Sequence, residues 1–352
     1  MAAFGGGFLG GARPAQNPSP NPNGDVEVVS PPTDGISSLN FSPVANHLVA
    51  TSWDCEVRCW EVQGGNSAPK ASIKHEKPVL CSDWSPDGST VFAGGCDNMV
   101  KMWSLQSNQS QQVAKHDAPI RQVKYLKDLN NMLVTGGWDK TVRYWDLRQP
   151  NPVHTTQLPE KVLAMDAVYP VLVCALGGPD RKIQIFNLTN PAAPFKEIES
   201  PLKYQTRCVT CFPDHTGFLV GSVEGRVAVQ HVEDNVQSKN FTFKCHREGN
   251  DVYAVNSMTF HPQYGTFVTA GSDGAYNFWD KDSKQRLKAM LKGNTPITDG
   301  TFSFDGTTYA YAASYDWSKG FAEHNPATAK NYIFLHPNNE ADVKARKSAT
   351  RR

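Results

Sequence analysis

The segment Gly137 to Leu147, GWDKTVRYWDL, sets the grammar of the whole chain. An acidic turn residue, Asp139, leads into a run in which Val142, Tyr144 and Trp145 supply the branched and aromatic bulk of a β-strand. An acidic residue with a bulky one six positions later recurs at Asp54 and Trp60, Asp97 and Trp103, Asp139 and Trp145, Asp180 and Phe186, and Asp273 and Trp279. With Glu224 and Asp316 in the equivalent turns, successive units are 43, 42, 41, 44, 49 and 43 residues apart. Such a period is shared by helical solenoids and by propellers of four-stranded blades. Here the units alternate in the two-residue rhythm of strands and carry tight turns such as Ser85-Pro86-Asp87-Gly88.

The sequence therefore predicts an all-β fold, a seven-bladed β-propeller over residues 25–339. The fifth unit is the most divergent, with Gln230 at the tryptophan position. A ring has to close, because unpaired edges invite aggregation. The seventh unit is short of strands after Trp317, with only NYIFLH (Asn331 to His336) following. The early run DVEVV, Asp25 to Val29, is expected to complete blade seven.

Composition narrows the function classes. No stretch approaches the roughly 18 uninterrupted apolar residues of a membrane helix, so membrane insertion is not expected. The opening residues lack a charged leader followed by an apolar run, unlike a secretory signal. Eight scattered cysteines in strand-like runs fit a reduced nuclear or cytosolic setting. Net charge is +1 for the chain but −3 for residues 25–339, which argues against a uniformly basic nucleic-acid binder. Residues 1–24, rich in Gly, Pro and Asn, are expected to be a disordered leader. Residues 340–352, with five cations in KARKSATRR, are expected to form a disordered basic tail, suited to an import signal, to RNA phosphates or simply to solubility. Cys208 and Cys211 form a CxxC with no second pair, and no glycine run has a phosphate-loop lysine, so neither a metal nor a cofactor is expected.

The phased units resemble the WD-repeat family across 25–339. That resemblance implies a hydrogen-bonded His, Ser/Thr, Asp and Trp set inside many blades: His116, Thr135, Asp139 and Trp145 in blade three, and His246, Thr269, Asp273 and Trp279 in blade six. A base and its orienting acid also occur in acyl-transfer sites. Recurrence at blade phase favours a structural role and a protein that is not an enzyme.

A narrower resemblance rests on GSVEGRVAVQHV, NFTFKCHR, VYAVN, GSDGAYNFWDKD and ASYDWSKG. These stretches are similar to the Rae-type (Gle-type) mRNA export factors of the nuclear pore, and EGRVAV and FKCHR also to the sister Bub-type mitotic checkpoint propellers. The resemblance implies an adaptor in the nucleus, at the nuclear pore complex and nuclear envelope. Its implied partner is a GLEBS segment of a Phe-Gly nucleoporin, with mRNA or export factors as further partners; the alternative is a checkpoint scaffold holding GLEBS-like segments of mitotic checkpoint kinases. Because such segments are partly acidic, the expected contacts combine aromatics and cations of blades five and six: Arg226, Phe243, Lys244, Arg247, Trp279, Lys281, Lys284 and Arg286.

Overall fold

A computed structural model of the chain describes residues 19–345. The described residues form seven four-stranded antiparallel sheets, in chain order over 36–74, 79–115, 120–157, 162–199, 206–244 and 255–289, with the seventh built from both ends of the fold. Blade three shows the pattern: Ile120–Tyr125 innermost, then Met132–Gly137, Thr141–Asp146 and Pro152–Gln157 at the rim. Apolar clusters fill the space between neighbouring sheets, as where Leu39, Leu48 and Trp60 of blade one meet Ala310, Ile333 and Leu335 of blade seven.

The acidic turn residue has a backbone reason. In all seven blades the residue after it has positive φ: Cys55, Asn98, Lys140, Arg181, Gly225, Gly274 and Trp317. Left-handed backbone is costly for a residue with a Cβ, and the carboxylate offsets that cost by accepting a bond from the amide two residues on. Examples are Glu56 to Asp54 at 3.0 Å, Thr141 to Asp139 at 3.1 Å and Ser318 to Asp316 at 3.1 Å.

A second regularity is absent from the sequence pattern. The innermost strand of every blade carries a β-bulge near its start, leaving Ser37, Leu80, Arg121, Leu163, Arg207, Asn256 and Thr298 out of register. A bulge re-aims the side chain it frees. Six of these seven side chains, all but Leu163, line one end of the central channel.

Closure follows the sequence expectation. Val26–Glu27 pairs antiparallel with Tyr332–Pro337, Val26 opposite Leu335, and the Val28 amide donates to the Ile333 carbonyl at 2.8 Å. The strand is only two residues long, so most of the fastening lies beside it. Asp25 is buried, with Tyr311 Oη donating to its carboxylate at 2.7 Å, Tyr276 Oη at 3.2 Å and His336 Nδ1 lying 2.7 Å away.

Most of the expected disordered leader and part of the expected tail lie outside the described residues. The parts inside are ordered. Asn23 makes two bonds to the Leu291 backbone, and the Asn294 amide donates to the Ser19 carbonyl at 3.0 Å. At the other end Glu340–Val343 is a short helix with Val343 buried, its carbonyl accepting from Thr266 Oγ1. Val343 is the apolar anchor that a charge count of the tail passes over.

Candidate partner-binding face

The two His-Thr-Asp-Trp sets come together inside their blades. In blade three His116 Nδ1 lies 2.9 Å from Asp139 Oδ2, His116 Nε2 lies 2.7 Å from Thr135 Oγ1, and Trp145 Nε1 donates to the same hydroxyl at 2.8 Å. Blade six repeats this with His246, Asp273, Thr269 and Trp279 at 2.8, 2.8 and 3.0 Å. Burial alone would raise the Asp139 carboxyl, but bonds from His116, Thr141 and the Asp117 amide hold it net below the usual range. His116 is fully buried and both its ring nitrogens are engaged, so no substrate can reach it. The arrangement stiffens a sheet.

The eight candidate contacts of blades five and six divide between the two ends of the ring. Arg226 opens its strand, Arg226–His231, with Lys244 directly opposite, and Arg247 Nη2 donates to the Glu224 carbonyl at 2.6 Å. These three sit at the end that carries the acidic turns. Lys281 and Lys284 instead follow the last residue of Tyr276–Asp280, and Arg286 lies at the start of Gln285–Ala289. Those three cations lie at the other end, while Phe243, opposite Val227, packs with Trp279 along the sheet between the two groups. Phe243 and Trp279 ring centres are 4.6 Å apart, Lys281 Nζ stands 5.1 Å from the Phe212 ring and Lys284 Nζ 4.7 Å from that of Phe241. A cavity of about 370 Å³ opens there, between Lys239, Phe241, Lys281 and Lys284. A six-residue strand spans about 20 Å, so the two groups cannot share one small ligand.

At the turn end lies a face that the sequence analysis did not single out. A depression of about 490 Å³ is bordered by Trp53, Trp138, Tyr315 and Trp317. The three indoles are 40%, 38% and 39% exposed, unlike the strand tryptophans Trp60 and Trp103 at 1% and 0%. At its base are the bulge residues Arg121 and Arg207. Arg207 Nε donates to Asn256 Oδ1 at 3.1 Å; among the described residues neither guanidinium has a carboxylate at ion-pair distance. Burial, together with the neighbouring Arg207 charge, lowers the Arg121 guanidinium from its ordinary value. Asp316, also on the rim, is tied to Ser272 and to Asn256 Nδ2 at 2.9 Å. The sequence did hold a signal: SWD, GWD and YDW each put an indole in a turn, where no strand face can cover it.

A ring of seven such blades, with a hydrogen-bonded His-Thr-Asp-Trp set inside two of them, is a WD-repeat propeller. The family model described as "WD domain, G-beta repeat" matches residues 26–61, 68–104, 108–146 and 237–280. The crystal structure of the RRP9 WD40 repeats superposes with a TM-score of 0.73 at 17% identity, covering 92% of this chain and 99% of that one, which speaks for the fold. Protein RAE1 of Arabidopsis thaliana is 59% identical over 93% of this chain and 94% of that protein. The poly(A)+ RNA export protein of Schizosaccharomyces pombe is 50% identical over 92% and 93%, and the mRNA export factor of Xenopus tropicalis 47% over 94% and 93%. The chain belongs to the Rae1/Gle2 family of WD-repeat mRNA export factors.

Proposed function

We propose that this chain is a non-enzymatic adaptor of mRNA export at the nuclear pore, holding a GLEBS segment of a Phe-Gly nucleoporin across the turn end of the ring. The observation that carries this reading is the depression with three exposed indoles around two arginines without carboxylate partners. Its chemistry matches a chain that brings apolar side chains and at least one carboxylate. The indoles gain area burial at little entropic cost, and a carboxylate on Arg121 gains a charge-assisted bond where water is partly excluded. Arg226, Lys244 and Arg247 extend the same end outward as a basic rim. That the similar proteins include mRNA export factors favours export over a checkpoint role.

Lys281, Lys284 and Arg286 occupy the opposite end, over the rings of Phe212, Phe241 and Trp279, and support a second contact, with RNA; Phe243 packs behind them on Trp279. Cations beside aromatic rings suit a single strand, which offers phosphates and base faces together.

Titration calorimetry with a synthetic GLEBS peptide tests the adaptor reading. Arg121→Glu combined with Trp138→Ala is expected to weaken binding at least tenfold, with the unfolding temperature retained. Unchanged affinity would remove the site. Affinity capture from interphase and mitotic extract is expected to recover nucleoporin, and checkpoint kinases alone would overturn the export reading.

A further inference from the structure

The described chain begins beside the depression. The Asn294 amide donates to the Ser19 carbonyl, and Pro20 shares a cavity of about 340 Å³ with Asn294, Thr295, Tyr315 and His324. The fit is tight: a Cβ on Gly293 would meet the Pro20 carbonyl oxygen at 3.2 Å. Tyr315 also lines the depression, its ring centre 5.4 Å from that of Trp317, and His324 packs on both. The described chain therefore starts at the rim of this opening, directly after residues 1–18. Residues 1–18 carry Phe4, Phe8 and Leu9, each beside a glycine, and no side-chain carboxylate.

We propose that residues 1–18 dock back across this face, with Phe4, Phe8 and Leu9 seated among Trp53, Trp138 and Trp317 until an acidic partner displaces them. Docking stands on the chain's exit point and on the uncovered indoles; only the displacement step rests on the adaptor reading.

Reach is sufficient. Ten residues, LGGARPAQNP, lie between Phe8 and Ser19, and the eleven steps they make reach about 36 Å at full extension. Trp317 belongs to blade seven and Trp53 to blade one, and packed sheets stand only about 10 Å apart. Affinity need not be high, because a short tether holds the segment at an effective concentration on the order of millimolar. An intrinsic dissociation constant of that size already covers about half of the molecules. Without a carboxylate, the segment offers Arg121 and Arg207 no ion-pair partner, and Asp299 acts on Arg121 only at longer range. An acidic peptide brings that missing charge, so it outcompetes the leader while the leader still keeps the indoles out of water.

Hydroxyl-radical footprinting with mass spectrometry on the full chain tests the docking, comparing the natural sequence with the triple variant Phe4→Ser, Phe8→Ser, Leu9→Ser. Labelling of Trp53, Trp138 and Trp317 is expected to rise two- to fivefold in the variant, with exposed Phe195 and Tyr204 unchanged. A synthetic peptide of residues 1–18 at millimolar concentration should restore protection. Equal labelling of both forms overturns the docking. In the same pair of proteins the GLEBS peptide is expected to bind the variant two- to tenfold more tightly, and equal affinity overturns displacement. If that peptide binds neither form the adaptor reading falls, while the footprint still decides where the leader lies.

Discussion

At the scale of single residues, blade two shows what the buried hydrogen-bond set is worth by lacking part of it. His75 Nδ1 lies 2.7 Å from Asp97, but Ala93 stands where blade three has Thr135, as their matching registers opposite Lys101 and Arg143 show. His75 Nε2 then has no partner among the described residues, and Trp103 turns its indole N–H to Asn108 Oδ1 at 3.0 Å. Thr135→Val should recreate this loss in blade three at a cost of about 2–3 kcal/mol, since two buried groups lose a partner. Chemical denaturation reads it, and a cost below 0.5 kcal/mol would refute the argument. The aspartates also set an acid limit. In Asp97, Asp139 and Asp316 burial raises the carboxyl, yet hydrogen bonds and, for the first two, the facing histidines outweigh it and leave each lowered. A lowered folded value means stability that is present above the unfolded carboxyl range near pH 4 and lost as pH falls below it. Denaturation midpoints between pH 5 and 2.5 should drop steeply, and Asp139→Asn should flatten that slope. The turn aspartates were legible because their chemistry is local. The orphaned His75 nitrogen was not, because it depends on a hydroxyl missing 18 residues away.

Among the elements, the N-terminal segment gains its importance from partners far along the chain. Reading DVEVV as a strand located the closure, since an edge needs pairing wherever its partner is in sequence. What fastens it could not be read. Asp25 gathers Tyr276, Tyr311 and His336 from 251, 286 and 311 residues away, and Trp60 Nε1 of blade one donates to the Val29 carbonyl at 2.8 Å. One segment thus ties blades six, seven and one. Asp25→Ala leaves two buried hydroxyls and an imidazole without their shared acceptor, an expected loss of about 2–4 kcal/mol. Hydrogen exchange should speed up in Tyr332–Pro337 and Thr308–Ala313 before it does in blades three and four. Uniform acceleration around the ring would mean that the segment is not a local clasp. The bulges at Arg121 and Arg207 illustrate the opposite limit of sequence reading: no residue type announces them, yet they aim both cations into the depression.

For the whole molecule the decisive variable is which end of the ring a side chain occupies. Composition gathered Arg226 and Lys281 into one patch because both lie in cation-rich stretches of adjacent blades. Strand direction separates them: Arg226 opens its third strand, and Lys281 follows the end of the equivalent strand in the next blade. Reversing both charges together therefore perturbs two surfaces. Taken singly, the substitutions make a cleaner test of the proposed division of labour. Trp138→Ala should weaken a GLEBS peptide about tenfold, as loss of an exposed aromatic anchor does at interface centres, and leave single-stranded RNA binding unchanged. Lys284→Glu should weaken RNA binding and reduce its salt dependence by about one phosphate contact, with peptide affinity unaltered. The double variant should show the sum of the two effects, because sites a blade's length apart share no side chains and the stiff sheets between them do not rearrange. Non-additive losses in a full cycle, measured by calorimetry for the peptide and fluorescence anisotropy for the RNA, would show instead that both ends engage a single continuous ligand.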